Sequence, residues 1–184
     1  MKRKTAKEIL ADAFLELAET KAVDKITIKD ITDNCGYSSA NFYRQFKDKY
    51  DLIAWTYTRD LEKIFENIDF NEDSWKQTLL SVANYFSDHK EYLANLFLHT
   101  GGYDSFIYHM TEIHYNCLKS QILKSKLVEK LDDQTDMSIR VYVHGTVSLS
   151  CEWILGQYTC DAKVLADVYE KTLPQSLAPY LFAR

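Results

Sequence analysis

Asn41 and Arg44 stand three residues apart in the segment Ser38-Ser39-Ala40-Asn41-Phe42-Tyr43-Arg44-Gln45-Phe46-Lys47. An asparagine amide and an arginine guanidinium are the side chains that match adenine and guanine edges through paired hydrogen bonds. On a helix turning about 100° per residue, Phe42 and Phe46 make one apolar stripe; Ala40, Asn41, Arg44 and Lys47 point away from it, with Tyr43 on the flank. One side can be held by a scaffold, and the other is slim, polar and partly basic. Those are the two requirements for a helix that enters a major groove and meets bases and phosphates. The chemistry is recognition rather than bond making.

Other elements must position that helix. Thr27 with Asp30 three residues on has the form of a capping box, Ile28, Ile31 and Cys35 line one face of a two-turn helix, and Gly36 stops it. Ser38 is then a natural N-cap for the next short helix, so the pair is joined by a three-residue turn containing glycine. Upstream, Ile9, Leu10, Ala13, Phe14, Leu17 and Ala18 predict an amphipathic helix over 4–20. Downstream, apolar periodicity predicts a long helix from Lys49 to about Ile68, others over 75–86 and 92–98, and a break at Gly101-Gly102. Further long helices run from Tyr103 to about Leu131 and over about 136–157, with a last one over 161–173 closed by Pro174. The reading is all-α, about nine helices, with a helix-turn-helix head over 1–48 and a helical body over 49–184.

Composition agrees. With 46% hydrophobic and 27% charged residues the chain has the balance of a folded protein, and its two prolines, Pro174 and Pro179, leave the first 173 positions free for helix. The net charge of −5 is uneven: residues 1–50 hold ten Lys/Arg against eight Asp/Glu, the remainder twelve against nineteen. A mildly basic head on an acidic body suits local contact with nucleic acid, not general coating. No apolar run approaches the roughly 20 residues of a membrane span, and Met1-Lys2-Arg3-Lys4 leads into an amphipathic pattern, so a cytoplasmic location is expected. Cys35, Cys117, Cys151 and Cys160 lack paired spacing and read as packing residues. His109 and His114 are five apart, off-register for a helical metal pair, so neither a metal nor another cofactor is expected. No GxSxG, HExxH or phosphate-binding glycine loop occurs, which leaves a helical enzyme as a remote alternative.

The run Thr27-Ile28-Lys29-Asp30-Ile31, then Cys35-Gly36-Tyr37-Ser38, then Asn41 through Leu52 with its aromatic-x-x-Phe-Lys-x-Lys ending, resembles the N-terminal signature of TetR-type regulators across about 45 residues. The resemblance implies that Thr27 caps its helix and meets a phosphate, that Ser39, Asn41 and Arg44 face bases, and that Tyr43 and Lys49 hold the DNA backbone. Lys2, Arg3 and Lys4 would add an arm. Tyr37 stands where a small aliphatic is usual and Gln45 where an aromatic or His is common; neither removes a phosphate contact, so both bear on which bases are read. The implied function is a sequence-specific regulator binding operator DNA as a homodimer, with repression relieved by an effector as the family default.

For the body, Gly145, Trp153-Ile154-Leu155 and Gly156 followed by Leu165-Ala166 resemble the TetR subgroup typified by the regulator of dihydroxyacetone kinase. That likeness implies a two-fold four-helix interface built from the last two long helices, with Val143, Val147, Trp153, Leu165 and Val168 as candidate interface residues. The aromatic supply, 13 Tyr, 9 Phe and 3 Trp, is dense between Tyr85 and Tyr115. It would line either an effector pocket, with His99, Tyr103, Phe106, His109 and Trp153 as candidates and Tyr108 or His114 as further polar contacts, or an ordinary core. A closed aromatic pocket favours small-molecule control. A filled core with an exposed apolar groove favours an alternative regulator, such as an activator, that answers to a protein partner.

Overall fold

The computed structural model of the chain describes residues 4–66, 68–101 and 105–182. Among them are ten α-helices and no strand: α1 (Ala6–Ala18), α2 (Ile28–Cys35), α3 (Ser39–Tyr43), α4 (Lys49–Phe65), α5 (Glu72–Asp88), α6 (Lys90–His99), α7 (Phe106–Lys124), α8 (Asp133–Ile154), α9 (Ala162–Lys171) and α10 (Ala178–Leu181). A 3-10 turn at Val23–Lys25 lies between α1 and α2.

Local chemistry places most of the helix starts. The side chains of Thr5, Thr27, Ser38, Asp48, Asn71 and Asp132 each accept a hydrogen bond from a backbone N–H in the first turn that follows. These caps satisfy donors that no intrahelical carbonyl can reach. Several boundaries differ from the sequence reading. α7 ends at Lys124 instead of near Leu131, followed by Lys126 at φ 61°. α8 begins at Asp133, three residues before the start read at about 136, because Asp132 caps it ahead of the apolar stripe. Pro174 does end the α9 region, but the chain then turns into α10, which buries Leu177 and Leu181.

α1, α2 and α3 pack on one another around Leu10, Phe14, Ile31, Phe42 and Phe46. In the body, α5 lies along α9, and α7 lies against both α8 and α4. One continuous core cluster runs from the head into the body, through Leu52 and Tyr57 on α4 to Trp75, Phe86, Leu118, Trp153 and Leu165. Burying these large side chains contributes about 1.5–3 kcal/mol each before the ordering entropy is subtracted. Hydrogen bonds reinforce the layers: Gln121 donates to the Phe65 carbonyl at 3.0 Å, and Tyr142 to the Tyr169 carbonyl at 2.8 Å.

Candidate nucleic-acid interface

The interface begins with Thr27. Its Oγ1 accepts the Asp30 N–H at 3.1 Å while the Asp30 carboxylate accepts the Thr27 N–H at 2.8 Å, a closed capping box at the head of α2. Lys21 also donates to that carboxylate at 2.8 Å; this bond first, then those from Thr27, holds Asp30 well below the usual carboxylate range. Gly36, at φ 72°, closes α2 in the left-handed conformation, and the Tyr37 N–H returns to the Thr32 carbonyl at 2.9 Å. The chain is thereby reversed at once into Ser38, whose hydroxyl caps α3.

α3 is five residues long and held from beneath. Phe42 is 0% exposed; its ring packs against Phe46 at 5.8 Å, and Phe46 packs against Trp55 of α4 at 5.7 Å. Phe46 lies beyond the helix end yet stays beside Phe42, because its N–H bonds to the Phe42 carbonyl at 3.0 Å. The opposite side is open. Ser38, Ser39, Ala40, Arg44 and Lys47 are exposed, Tyr43 is 60% exposed, and Asn41 is half-buried. Arg44 donates to the Asn41 carbonyl oxygen at 3.3 Å, so the two base-matching side chains share one patch and orient each other.

Two expected backbone contacts sit differently. The Lys49 ammonium turns inward and donates to the carbonyls of Val23 at 2.7 Å and Ile26 at 2.8 Å; burial there lowers its pKa. Lys4 is exposed and pairs with Asp12 at 2.6 Å along α1. A surface pair of this kind is worth about 0–1 kcal/mol and exchanges readily for another anion. Lys2 and Arg3 lie outside the described residues, as does Tyr103 of the expected pocket.

The other expected pocket residues do not converge. His99 stands 3.4 Å from Asp24. Phe106 is buried edge-on against Tyr57, His109 is half-buried beside Tyr108, and the Trp153 indole donates to the Cys160 carbonyl at 2.9 Å. A cavity of about 40 Å³ opens instead among α4, α5, α7, α8 and α9, where Trp75, His114, Tyr142, Thr146, Ser150 and Tyr169 are the polar members of its lining. The Trp75 indole N–H is buried without a partner, and His114 bonds through Nε2 to the Tyr57 hydroxyl at 2.7 Å. Of this lining only His114 is among the candidates read from the aromatic-rich stretch; Thr146 and Ser150, which interrupt the inner face of α8 four residues apart, are a further local signal. Enclosed benzene occupies a cavity of roughly 150 Å³, so this one is water-sized. Among the described residues no group of three His, Cys, Asp or Glu is placed to hold a metal.

The head and the body each match a known family. Residues 10–54 match the bacterial regulatory proteins of the tetR family, and residues 73–175 match a transcriptional regulator C-terminal region, TetR_C_8. The chain belongs to the TetR family. It is a transcriptional regulator, and the families it matches are those of regulators, not enzymes. Over 100 residues it is 25% identical to the dhaKLM operon transcriptional activator DhaS of Lactococcus lactis subsp. lactis (strain IL1403), a match spanning 54% of this chain and 52% of that protein. A solved structure of a dihydroxyacetone kinase operon activator DhaS aligns over 91% of this chain and 93% of its own with a TM-score of 0.64 at 19% identity. A TetR transcriptional regulator from Rhodococcus sp. RHA1 aligns over 92% and 97%, with a TM-score of 0.65 at 13% identity. These structural likenesses carry the fold.

In this TetR-family chain the last two long helices have two apolar sides. Val143, Val147, Trp153 and Leu165, expected at an interface between copies, are buried within the protomer. Their helices keep a second face open, with Met137 65%, Val141 74%, Val164 49% and Val168 37% exposed. Val141, Gly145, Leu149, Val168 and Pro174 line a groove on that face, and its floor, Tyr142, Thr146 and Tyr169, is also a wall of the inner cavity. No described helix is long and apolar enough to cross a membrane.

Proposed function

We propose that this TetR-family regulator binds operator DNA as a homodimer in the cytoplasm, with residues 1–48 reading the DNA and residues 49–184 dimerising and receiving the regulatory signal. The observation that carries the reading is the open face of α3: Asn41 and Arg44 hydrogen-bonded to each other above a fully buried Phe42. Arg44 and Asn41 read base edges, Ser39 adds a small polar contact, and Tyr43, Lys47, Ser38 and the N-cap Thr27 meet phosphates. Lys49 supports the head from within, and Lys2, Arg3 and Lys4 form the arm.

Binding of the purified protein to duplex DNA from upstream of its own gene, measured by fluorescence anisotropy across a salt series, tests this directly. Arg44→Ala is expected to cost about 1–3 kcal/mol, roughly 5- to 150-fold, on the specific duplex while leaving random duplex nearly unchanged. Equal, weak binding of wild type and variant to both duplexes would sink the assignment.

The open face of α8 and α9 is assigned to the second copy, since an apolar groove flanked by residues as exposed as Val141 is costly to leave in water. Val141→Asp places two carboxylates at that contact, and sedimentation at micromolar concentration should then show a monomer that keeps its helical content, with a melting temperature lowered by the loss of association. A dimer that persists would move the interface elsewhere.

Two controls remain open to the body: a repressor relieved by a small molecule, and an activator governed by a protein partner. The water-sized cavity and the activator role of the Lactococcus relative both favour the second.

A further inference from the structure

The connector between α1 and α2, residues 19–27, and the end of α1 that leads into it are gripped by side chains that belong to the body. Asn95, on α6, commits its whole amide to them. Its Oδ1 accepts the Val23 N–H at 3.0 Å, and its Nδ2 donates to the carbonyls of Ala18 and Lys21, each at 3.0 Å. Lys49, opening α4, donates to the Val23 carbonyl at 2.7 Å and the Ile26 carbonyl at 2.8 Å. Both backbone polar groups of Val23 are therefore held by side chains from two different helices, and its own side chain is 0% exposed. One turn beyond Asn95, His99 approaches Asp24 on the same connector at 3.4 Å.

Apart from the 3-10 turn at Val23–Lys25 this connector has no ladder of its own, so its remaining buried N–H and C=O groups must find partners, and here one planar amide supplies three with fixed relative directions. α4 ties head to body covalently and through the packing of Phe46 on Trp55, on the side of α3. A second attachment, 72 to 77 residues away in sequence, removes the remaining freedom. Because α2 and α3 follow directly from the gripped connector, the angle it takes is the angle at which α3 leaves the body.

We propose that Asn95 is a positioning residue that locks head to body and so sets the separation of the two recognition helices in the dimer. It touches no DNA, yet it determines which spacing between operator half-sites is accepted. The proposal rests on the reading of the chain as a DNA-binding homodimer. It concerns specificity: a rigid pair of heads gains the bivalent advantage only at a matching spacing, whereas loosely held heads accept several spacings and gain less at each.

The test uses a duplex selected from random DNA by the wild-type protein, together with versions whose central spacer is changed by one or two base pairs and a duplex carrying one half-site. Asn95→Ala is the main variant. Asn95→Asp keeps the acceptor for Val23 but sets a carboxylate against two carbonyls, and Asn95→Gln preserves the amide chemistry one methylene further out. For Asn95→Ala and Asn95→Asp, half-site affinity should stay within about twofold, the advantage of the full site should fall about tenfold, and spacers one base pair longer or shorter should become nearly as good as the selected one. Asn95→Gln should recover part of the spacing preference. A wild-type spacing profile in Asn95→Ala overturns the proposal. Equal loss on half-site and full site, with a lower melting temperature, also overturns it, because the amide is then only a support of the head. A wild type that shows no full-site advantage over the half-site removes the homodimer reading itself.

Discussion

Phe42→Ala should abolish operator binding while leaving the body folded and associated. Phe42 is the one residue of α3 that is fully buried, and truncating a buried Phe costs about 3–5 kcal/mol. At five residues α3 is far below the length at which a helix is stable alone, about 12–15 residues, so its existence depends on that anchor. The damage stays in the head because Phe42 packs with head residues such as Leu10, Phe14, Ile31 and Phe46, and Phe46 in turn meets Trp55 of α4. Hydrogen exchange should show residues 38–47 losing protection while α5, α8 and α9 keep theirs, with the sedimentation coefficient unchanged. Retained protection at 38–47 with lost DNA binding would mean that Phe42 acts by some route other than holding α3.

Acid should unfold the protein through His114. Its ring is half-buried, bonds to the Tyr57 hydroxyl at 2.7 Å, and burial pushes its pKa down to about 4 from the ordinary 6.5. Burial also raises the Tyr57 phenol well above its usual range, so Tyr57 keeps its proton and can donate it to the imidazole. The unfolded chain therefore takes up a proton near pH 6.5 that the folded chain refuses until about pH 4. Stability is full above the higher value and falls with pH between the two, by about 3 kcal/mol over the window. His114→Gln keeps a hydrogen-bonding group for Tyr57 and removes the titration. Urea unfolding at pH 7.0, 5.5 and 4.5 (~2 kcal/mol separating the ends for wild type) should give a markedly flatter profile for the variant. Parallel profiles would assign the acid sensitivity to carboxylates such as Asp30 and Asp136, which their partners hold below the ordinary range.

What could be read along the chain is what local chemistry decides. Thr27 with Asp30, Gly36 and Ser38 define the two short helices and their turn, because caps and left-handed glycines act within three or four residues. Phe42 and Phe46 define the buried stripe by spacing alone, and from that stripe the outward position of Arg44 and Tyr43 follows. Helix ends without such local devices were less legible. α7 stops at Lys124 although Leu127 and Leu131 continue an apolar spacing, and α10 forms after Pro174 because Leu177 and Leu181 find a core that only the folded body provides.

The site residues divide along the same line. Periodicity marks Val143, Val147 and Leu165 as apolar and on packed helices, but an apolar side chain serves an internal core and an interface between copies equally well. Only the packing of α8 on α7, and of α9 on α5, settles that these three face inward while Val141 and Val164 face out. Aromatic density marks the middle of the chain, yet ring direction decides which side chains meet; the cavity is walled by Trp75, His114, Tyr142 and Tyr169, not by His99, Phe106, His109 and Trp153. A lysine near a DNA-binding helix reads as a phosphate contact, and the fold turns Lys49 onto the carbonyls of Val23 and Ile26. The sequence by itself determined the all-helical class, the head and its reading face, since these follow from caps, periodicity and side-chain chemistry over short spans. The tertiary structure decided which way each long helix faces, what fills the body, and how Asn95 ties head to body, because those depend on groups brought together from positions some 70 or more residues apart.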